Sequence, residues 1–406
     1  MSAVDLPAVP RVLIAEADPW SRDLLKQVLL NVRCDARLDL CADGQQALQL
    51  LAEQPYDLVI ADGELPGVDG LGLLRSVRQR RRHPPLPFIL MSHRNDSASV
   101  REAIPLAPTA YLTKPLNMQG LTLRLQGLLL SAGQTVSCDV PALAPGMTLA
   151  TFLERRRELA DGAPLLTDVQ LAVKRSLNPN GLDLRLLEEE VRTDPQITAV
   201  LIAAANSAAQ HLGEGVQTLS QALHRLGTGQ SMNLVLGLAL KRSAKLSDPC
   251  LADYAERYWE LSLHTAEYGR TLARLLDLDQ ERCYCAGMLH CLGDLALLRC
   301  LQEWKQAGGE LDDEQEVGEA LVTFAAAYGS ALRTRWRLPL ELRELIAAVY
   351  RLGGGVYSRE ALVMNMAAQL ARLTEHEGVE ELAKSRTARL LKIGLPELMR
   401  LRKRQS

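Results

Sequence analysis

The chain has 406 residues, more than one hydrophobic core usually serves, so two domains are the starting expectation. With 47% hydrophobic and 23% charged residues it has the composition of a folded globular protein, which excludes the disordered and fibrous classes. A formal net charge of -3 supplies no field that would argue for nucleic acid or an anionic membrane as the main partner.

The first nineteen residues, Met1 to Pro19, carry an acid early and lack a basic segment followed by an apolar run, so they do not read as a secretory signal. No later stretch reaches the roughly 18 uninterrupted apolar residues that span a bilayer. Both readings predict a cytoplasmic protein with no membrane partner. From Arg11 to Leu130 short apolar runs alternate with amphipathic segments, the pattern of a parallel sheet with crossover helices. The strands expected are RVLIA from Arg11, ARLDL from Ala36, DLVIA from Asp57, FILM from Phe88 and AYL from Ala110. Each is expected to be buried on both faces, as parallel strands are. Between them, the basic run Arg78 to His83 reads as a solvated loop, too short to make a nucleic-acid patch.

After Leu130 small residues and prolines without periodicity mark a linker, and from Thr148 apolar positions recur every three or four residues, which predicts helices throughout. Asn178-Pro179-Asn180-Gly181, Asp194-Pro195 and Gly353-Gly354-Gly355 punctuate them, with Thr193 or Asp194 as a helix cap. The expected division is residues 9–130, a linker at 131–147, a helical domain at 148–382 and a C-terminal helical extension at 383–406. The last stretch, Arg400 to Arg404, reads as a frayed helix end. Eight cysteines (Cys34, Cys41, Cys138, Cys250, Cys283, Cys285, Cys291, Cys300) are scattered along the chain and read as reduced, mostly buried thiols.

In an open parallel sheet functional groups gather at the carboxyl ends of the strands. There the sequence places Glu16, Asp62 with Glu64, Ser92 and Lys114. Carboxylates that hold a divalent cation, a hydroxyl and an ammonium suit transfer of a phosphoryl group onto a carboxylate. The strand order, the run Asp62 to Pro66 to Asp69-Gly70, and Tyr111-Leu112-Thr113-Lys114-Pro115 together resemble a response-regulator receiver domain. That resemblance implies a flavodoxin-like (βα)5 fold. It makes Asp62 the phosphoacceptor, Ser92 the phosphoryl-sensing hydroxyl, Tyr111 the switch aromatic and Lys114 the lysine that holds the product. It also implies Mg2+ on Glu16, Asp62 and the carbonyl of Glu64, and a sensor histidine kinase as partner. One departure stands out: the family's adjacent acidic pair reads Glu16-Ala17, one ligand short, which weakens the acidic pocket. Asp18, one residue on, is not expected to replace it. A receiver that no longer takes phosphate and serves for docking is the alternative.

Asp194-Pro195, Asn206-Ser207, Ala222 to Gly227 and Met288 to Gly293 resemble the HDOD domain, a helical relative of the HD metal-dependent phosphohydrolases. An HD enzyme needs histidines and aspartates on neighbouring helices. Here the positions read Leu261, and His290-Cys291 in place of His-Asp, with the further histidines absent near Ala325 and Val349-Tyr350. His264 reads as a polar edge or core residue, and Cys283, Cys285, His290 and Cys291 as buried groups rather than a zinc set. The expectation is therefore an output domain with no catalytic residue, which binds unidentified signalling proteins and allows a homodimer. A phosphohydrolase of nucleotides or cyclic dinucleotides is the alternative.

Overall fold

The computed structural model describes residues 9–403 apart from 93–96, 115, 117, 131–142, 160–161, 166–171, 173–176, 179–180, 208–213, 240–245, 312, 353–356 and 374–377. The Gly353 to Gly355 signal, most of the expected linker and Cys138 lie outside the described residues. Two compact units divide the chain: residues 1–139 with 207–209 and 229–242, and residues 140–206 with 210–228 and 243–406.

In the first unit five strands, β1 (Arg11–Ala15), β2 (Arg37–Cys41), β3 (Leu58–Asp62), β4 (Phe88–Ser92) and β5 (Ala110–Thr113), form a parallel sheet in the order β2-β1-β3-β4-β5. This is the doubly wound order whose switch point lies beside β1. The helices are α1 (Pro19–Val32), α2 (Gly44–Glu53), α3 (Gly70–Gln79), α4 (Ser97–Ala103) and α5 (Met118–Leu129). Apolar side chains alternate between two cores, one holding Val12, Ile14, Leu58 and Ile60 and the other Leu13, Val59, Leu73 and Phe88. β1, β3 and β4 are buried as expected, but β2 and β5 are the edges of the sheet and only partly buried; on β2, Asp39 pairs with Arg11 at 2.7 Å and accepts from the Tyr56 hydroxyl at 2.8 Å. Charge on an edge strand blocks pairing with another chain.

The run from Arg78 to His83 is exposed from Gln79 onward, as expected, but it starts inside α3 and its arginines hold backbone carbonyls. The Arg78 guanidinium donates to the carbonyls of Leu86, Leu106 and Ala107, Arg80 donates to Leu51 and Arg82 to Tyr56. Arginine's five fixed donors let it satisfy several chain-end carbonyls at once. Cys34 is disulfide-bonded, so the expectation of reduced thiols fails there. It holds for Cys41, Cys250, Cys283, Cys285, Cys291 and Cys300.

The rest is helical: α6 (Leu149–Leu159), α7 (Leu184–Val191), α8 (Pro195–Ala205), α9 (Leu219–Ala239), α10 (Pro249–Leu275), α11 (Gln280–Leu289), α12 (Leu292–Gln306), α13 (Glu314–Arg335), α14 (Leu340–Tyr350), α15 (Arg359–Ala371) and three short C-terminal helices ending at Lys403. One exception is a two-residue antiparallel pair, Leu177–Asn178 with Gly181–Leu182, at the turn signal read from the sequence. Asp194 is the cap of α8, accepting from the amides of Gln196 and Ile197 at 2.9 and 3.0 Å. Helix α9 breaks at Gly227, whose φ of 72° a side chain would resist, and its second segment belongs to the first compact unit.

Helices α11 and α12 form the core of the second unit. The stretch Gln280–Gln306 is apolar and long enough to cross a membrane, yet 94% of its apolar window is buried inside the fold, which is how a core helix reads. Small residues bring the backbones together: a Cβ on Gly287 would stand 2.4 Å from the Ala266 Cα, and one on Gly293 would stand 2.4 Å from the Ala325 carbonyl oxygen. The C-terminal helix Leu395–Lys403 buries Leu398 and Leu401, so the stretch from Arg400 is helical rather than frayed as far as Lys403.

Candidate functional site

Four strand ends build the site. Glu16 follows β1 and is buried; its Oε1 accepts from the Asp18 amide at 3.0 Å, and its carbonyl accepts from Arg22 Nη1 at 2.5 Å. Asp62 closes β3 at 5% exposure, and its Oδ1 accepts from the Glu64 amide at 3.3 Å. Lys114 follows β5 and bridges the two acids, donating to Glu16 Oε2 at 2.8 Å and lying 2.9 Å from Asp62 Oδ2. Its own amide donates to the Ser92 carbonyl at 2.8 Å, which ties the ends of β4 and β5 together.

Ser92 is buried at the end of β4, and its Oγ lies 3.3 Å from where a Cβ on Gly63 would stand. The hydroxyl therefore sits against the residue that follows Asp62. Gly70 is equally constrained, since a Cβ there would come within 2.2 Å of the Asp62 carbonyl oxygen. Tyr111, half-buried on β5, packs on the core that holds Leu13 and Leu90. The Glu64 side chain is exposed, which leaves its carbonyl as the group that can serve the pocket.

The electrostatics follow from burial. Removal from water, reinforced by the Asp62 charge and opposed by Lys114, pushes the Glu16 carboxyl up to about 7. Burial works against the Lys114 ammonium, but Glu16 and Asp62 outweigh it and raise its pKa above the ordinary lysine value.

For a small divalent cation the pocket offers the carboxylates of Asp62 and Glu16 and the Glu64 carbonyl. Among the described residues no group of three or more His, Cys, Asp or Glu side chains converges on one metal position. Asp18 uses one oxygen to cap α1 by accepting from Ser21 at 2.8 Å, and its Oδ1 is buried without a hydrogen-bond partner. That donor set fits an ion that keeps several of its waters, as magnesium does. Sequence reasoning missed Arg22 as the clamp on this loop; a lone arginine on an amphipathic helix carries no such signal.

Of the residues expected at degenerate HD positions, Leu261 is half-buried on α10, and His290 and Cys291 are buried together. His290 Nδ1 lies 2.6 Å from the Gly287 carbonyl, its Nε2 lies 3.1 Å from Cys291 Sγ, and its own carbonyl accepts from the Tyr350 hydroxyl at 2.6 Å. Burial pushes the His290 imidazole down to about 4. It pushes the thiols of Cys283 and Cys285 up to about 12. His264 is exposed.

A doubly wound five-stranded domain with an acid-lysine pocket at its strand ends, joined to a helical domain, defines a receiver-type signalling protein. The response regulator receiver domain family matches residues 12–126, and the HDOD domain family matches residues 163–352. A probable chemotaxis protein CheY of Rhizobium etli is 30% identical over 118 residues, 29% of this chain and 91% of that protein. The transcriptional regulatory protein AruR of Pseudomonas aeruginosa is 38% identical over 127 residues, 30% of this chain and 50% of that protein. A solved receiver domain of an HD domain-containing protein from Pseudomonas fluorescens Pf-5 is 32% identical and aligns with 30% of this chain and 95% of its own, at a TM-score of 0.27. The chain thus spans nearly all of the chemotaxis relative but only half of AruR. It belongs to the response-regulator family, with an HDOD domain as its output part.

Proposed function

We propose that Asp62 accepts a phosphoryl group from a sensor histidine kinase and that this controls a non-catalytic, protein-binding HDOD output in the cytoplasm. The observation that carries the reading is the Lys114 ammonium held at once by Glu16 and Asp62, with the Ser92 hydroxyl against Gly63. In the transfer an Asp62 oxygen bonds to phosphorus as the P–N bond to the kinase imidazole breaks. Magnesium, held by Asp62, the Glu64 carbonyl and water, with Glu16 beside it, would neutralise charge on the incoming phosphoryl group.

The new dianionic oxygens compete with Asp62 and Glu16 for Lys114, and they face Ser92. Because the Lys114 amide is bonded to the Ser92 carbonyl, a shift at Ser92 is passed to β5, which carries Tyr111 three residues earlier. The non-catalytic output rests on Leu261 and Cys291, which stand where HD enzymes place metal ligands. Its partners would be other signalling proteins or a second copy of the chain. The test is incubation with magnesium and a small acyl phosphate. Base-labile phosphate is expected on the wild type and none on Asp62→Asn; no incorporation into the wild type would leave the receiver as a docking module only.

A further inference from the structure

A concentration of charge that this signalling chemistry does not use lies beyond the HDOD match of residues 163–352. From Arg386 to Arg404 seven lysines and arginines accompany one acid, Glu397, an excess of six positive charges in a chain whose net charge is -3. The stretch is folded as far as Lys403, as α17 (Arg386–Leu391) and α18 (Leu395–Lys403), preceded by α16 (Glu380–Lys384). Its inner face anchors it. Thr387, Ala388, Leu391, Ile393, Leu398 and Leu401 are buried, and the Thr387 hydroxyl donates to Asn365 Oδ1 on α15 at 3.1 Å.

The outer face is cationic. Arg386, Arg389 and Lys392 are exposed at three-residue spacing, which on a helical turn makes each the neighbour of the next. Lys392 caps α17 in the left-handed conformation, at a φ of 57°, and its amide donates to the Arg389 carbonyl at 3.2 Å. Only Ile393 and Gly394 separate it from α18, on which Arg400 is exposed. The acids nearest in sequence are otherwise engaged: Glu397 accepts from the Gly394 amide at 3.0 Å as the cap of α18, and Glu381 of α16 pairs with Lys384 at 2.9 Å. Two large apolar side chains stand among the cations. Leu390, 48% exposed, follows Arg389 and lies four residues from Arg386, and Met399, 43% exposed, precedes Arg400.

Those apolar side chains decide what the surface fits. A nucleic acid presents phosphates along its backbone but nothing apolar, and single strands are held by aromatic side chains, of which Arg386 to Arg404 has none. An anionic bilayer presents phosphate headgroups and, just beneath them, an acyl boundary that buries leucine and methionine. We propose that the outer face of α17 and α18 binds an anionic phospholipid surface, with Arg386, Arg389, Lys392 and Arg400 on the headgroup phosphates and Leu390 and Met399 inserted between them. Because the basic residues are fixed on packed helices while the rest of the chain carries the negative excess, the contact has one orientation. It brings the HDOD domain to the membrane whatever the state of Asp62.

The experiment sediments the full chain with vesicles of phosphatidylcholine alone and of an equal mixture of phosphatidylcholine and phosphatidylglycerol. The protein should pellet with the mixed vesicles only, and progressively less as salt is raised. Replacing Arg386, Arg389 and Arg400 together by Gln should weaken binding about a hundredfold, the combined effect of three basic residues at such a surface. Leu390→Asn with Met399→Gln should weaken it about tenfold through lost apolar burial. Arg257→Gln, which removes an exposed arginine paired with Glu314, should leave it unchanged. Should the triple variant unfold, Arg400→Glu alone decides, with a loss of about tenfold or more expected. No pelleting with the mixed vesicles, equal pelleting with both compositions, or unchanged binding in the basic variants would overturn the proposal. Tighter binding to a DNA duplex than to the mixed vesicles, insensitive to the Leu390 and Met399 substitutions, would assign the surface to nucleic acid and reject it as well.

Discussion

At position 17 a methyl group stands where the receiver pattern has a carboxylate, and the surrounding loop is organised without it. Asp18, the nearest acid, spends one oxygen on the cap of α1 and leaves the other buried and unpartnered. Supplying the missing ligand should strengthen the cation site: Ala17→Asp is expected to lower the magnesium concentration for half-maximal phosphorylation about tenfold, or about 1.4 kcal/mol. An unchanged requirement would mean that water or Asp18 already fills the gap. Protonation is the other residue-scale lever. His290, held down to about 4, costs stability as pH falls from 6.5 to 4, because only the unfolded chain takes up its proton there. Asp294, held up to about 6 from 3.8, acts oppositely, adding stability as pH falls through 6 towards 3.8. From pH 6 to 4 the two offset each other. His290→Gln should therefore gain stability relative to the wild type on acidification below pH 6.5, by up to about 1.4 kcal/mol per pH unit in denaturant titrations. A constant difference from pH 7 to 4.5 would show that the imidazole is not buried as a neutral base.

Elements were legible wherever periodicity and burial agree. The five strands fall within a residue or two of the apolar runs because buried parallel strands have no polar face to blur them. β2 was misjudged because its apolar residues, Leu38 and Leu40, support an edge where one face stays wet. Helix contacts were less legible, since sequence alone does not say which glycine meets which backbone. Gly287 is such a case: a Cβ there would stand 2.4 Å from the Ala266 Cα. Gly287→Ala gains helix propensity of about 1 kcal/mol, but the overpacking of α10 against α11 should exceed it, for a net loss of about 2 kcal/mol. Gly127→Ala on α5 is the control, since nothing lies within 4 Å of its added Cβ. It should instead stabilise by about 0.5–1 kcal/mol. Urea midpoints of the two variants should move in opposite directions.

For the whole molecule, the receiver pocket could be read from sequence because its residues occupy strand ends, positions that topology forces together. The surroundings of His290 could not, since its contacts come from helices whose relative placement no local pattern encodes. A phosphoryl group at Asp62 can alter the output only by the difference in its interaction energy with two arrangements of the protein. Taking such an equilibrium from 1:99 to 99:1 needs about 5.5 kcal/mol, several charge-assisted bonds' worth, so partial shifts are the natural expectation from a pocket with one acid missing. Affinity capture should then show graded rather than all-or-none changes. Partners held by the phosphorylated wild type should differ several-fold in yield from those held by Asp62→Ala, and Ala17→Asp should widen the gap. Identical yields from all three proteins would separate the HDOD output from Asp62 and make the receiver a docking module.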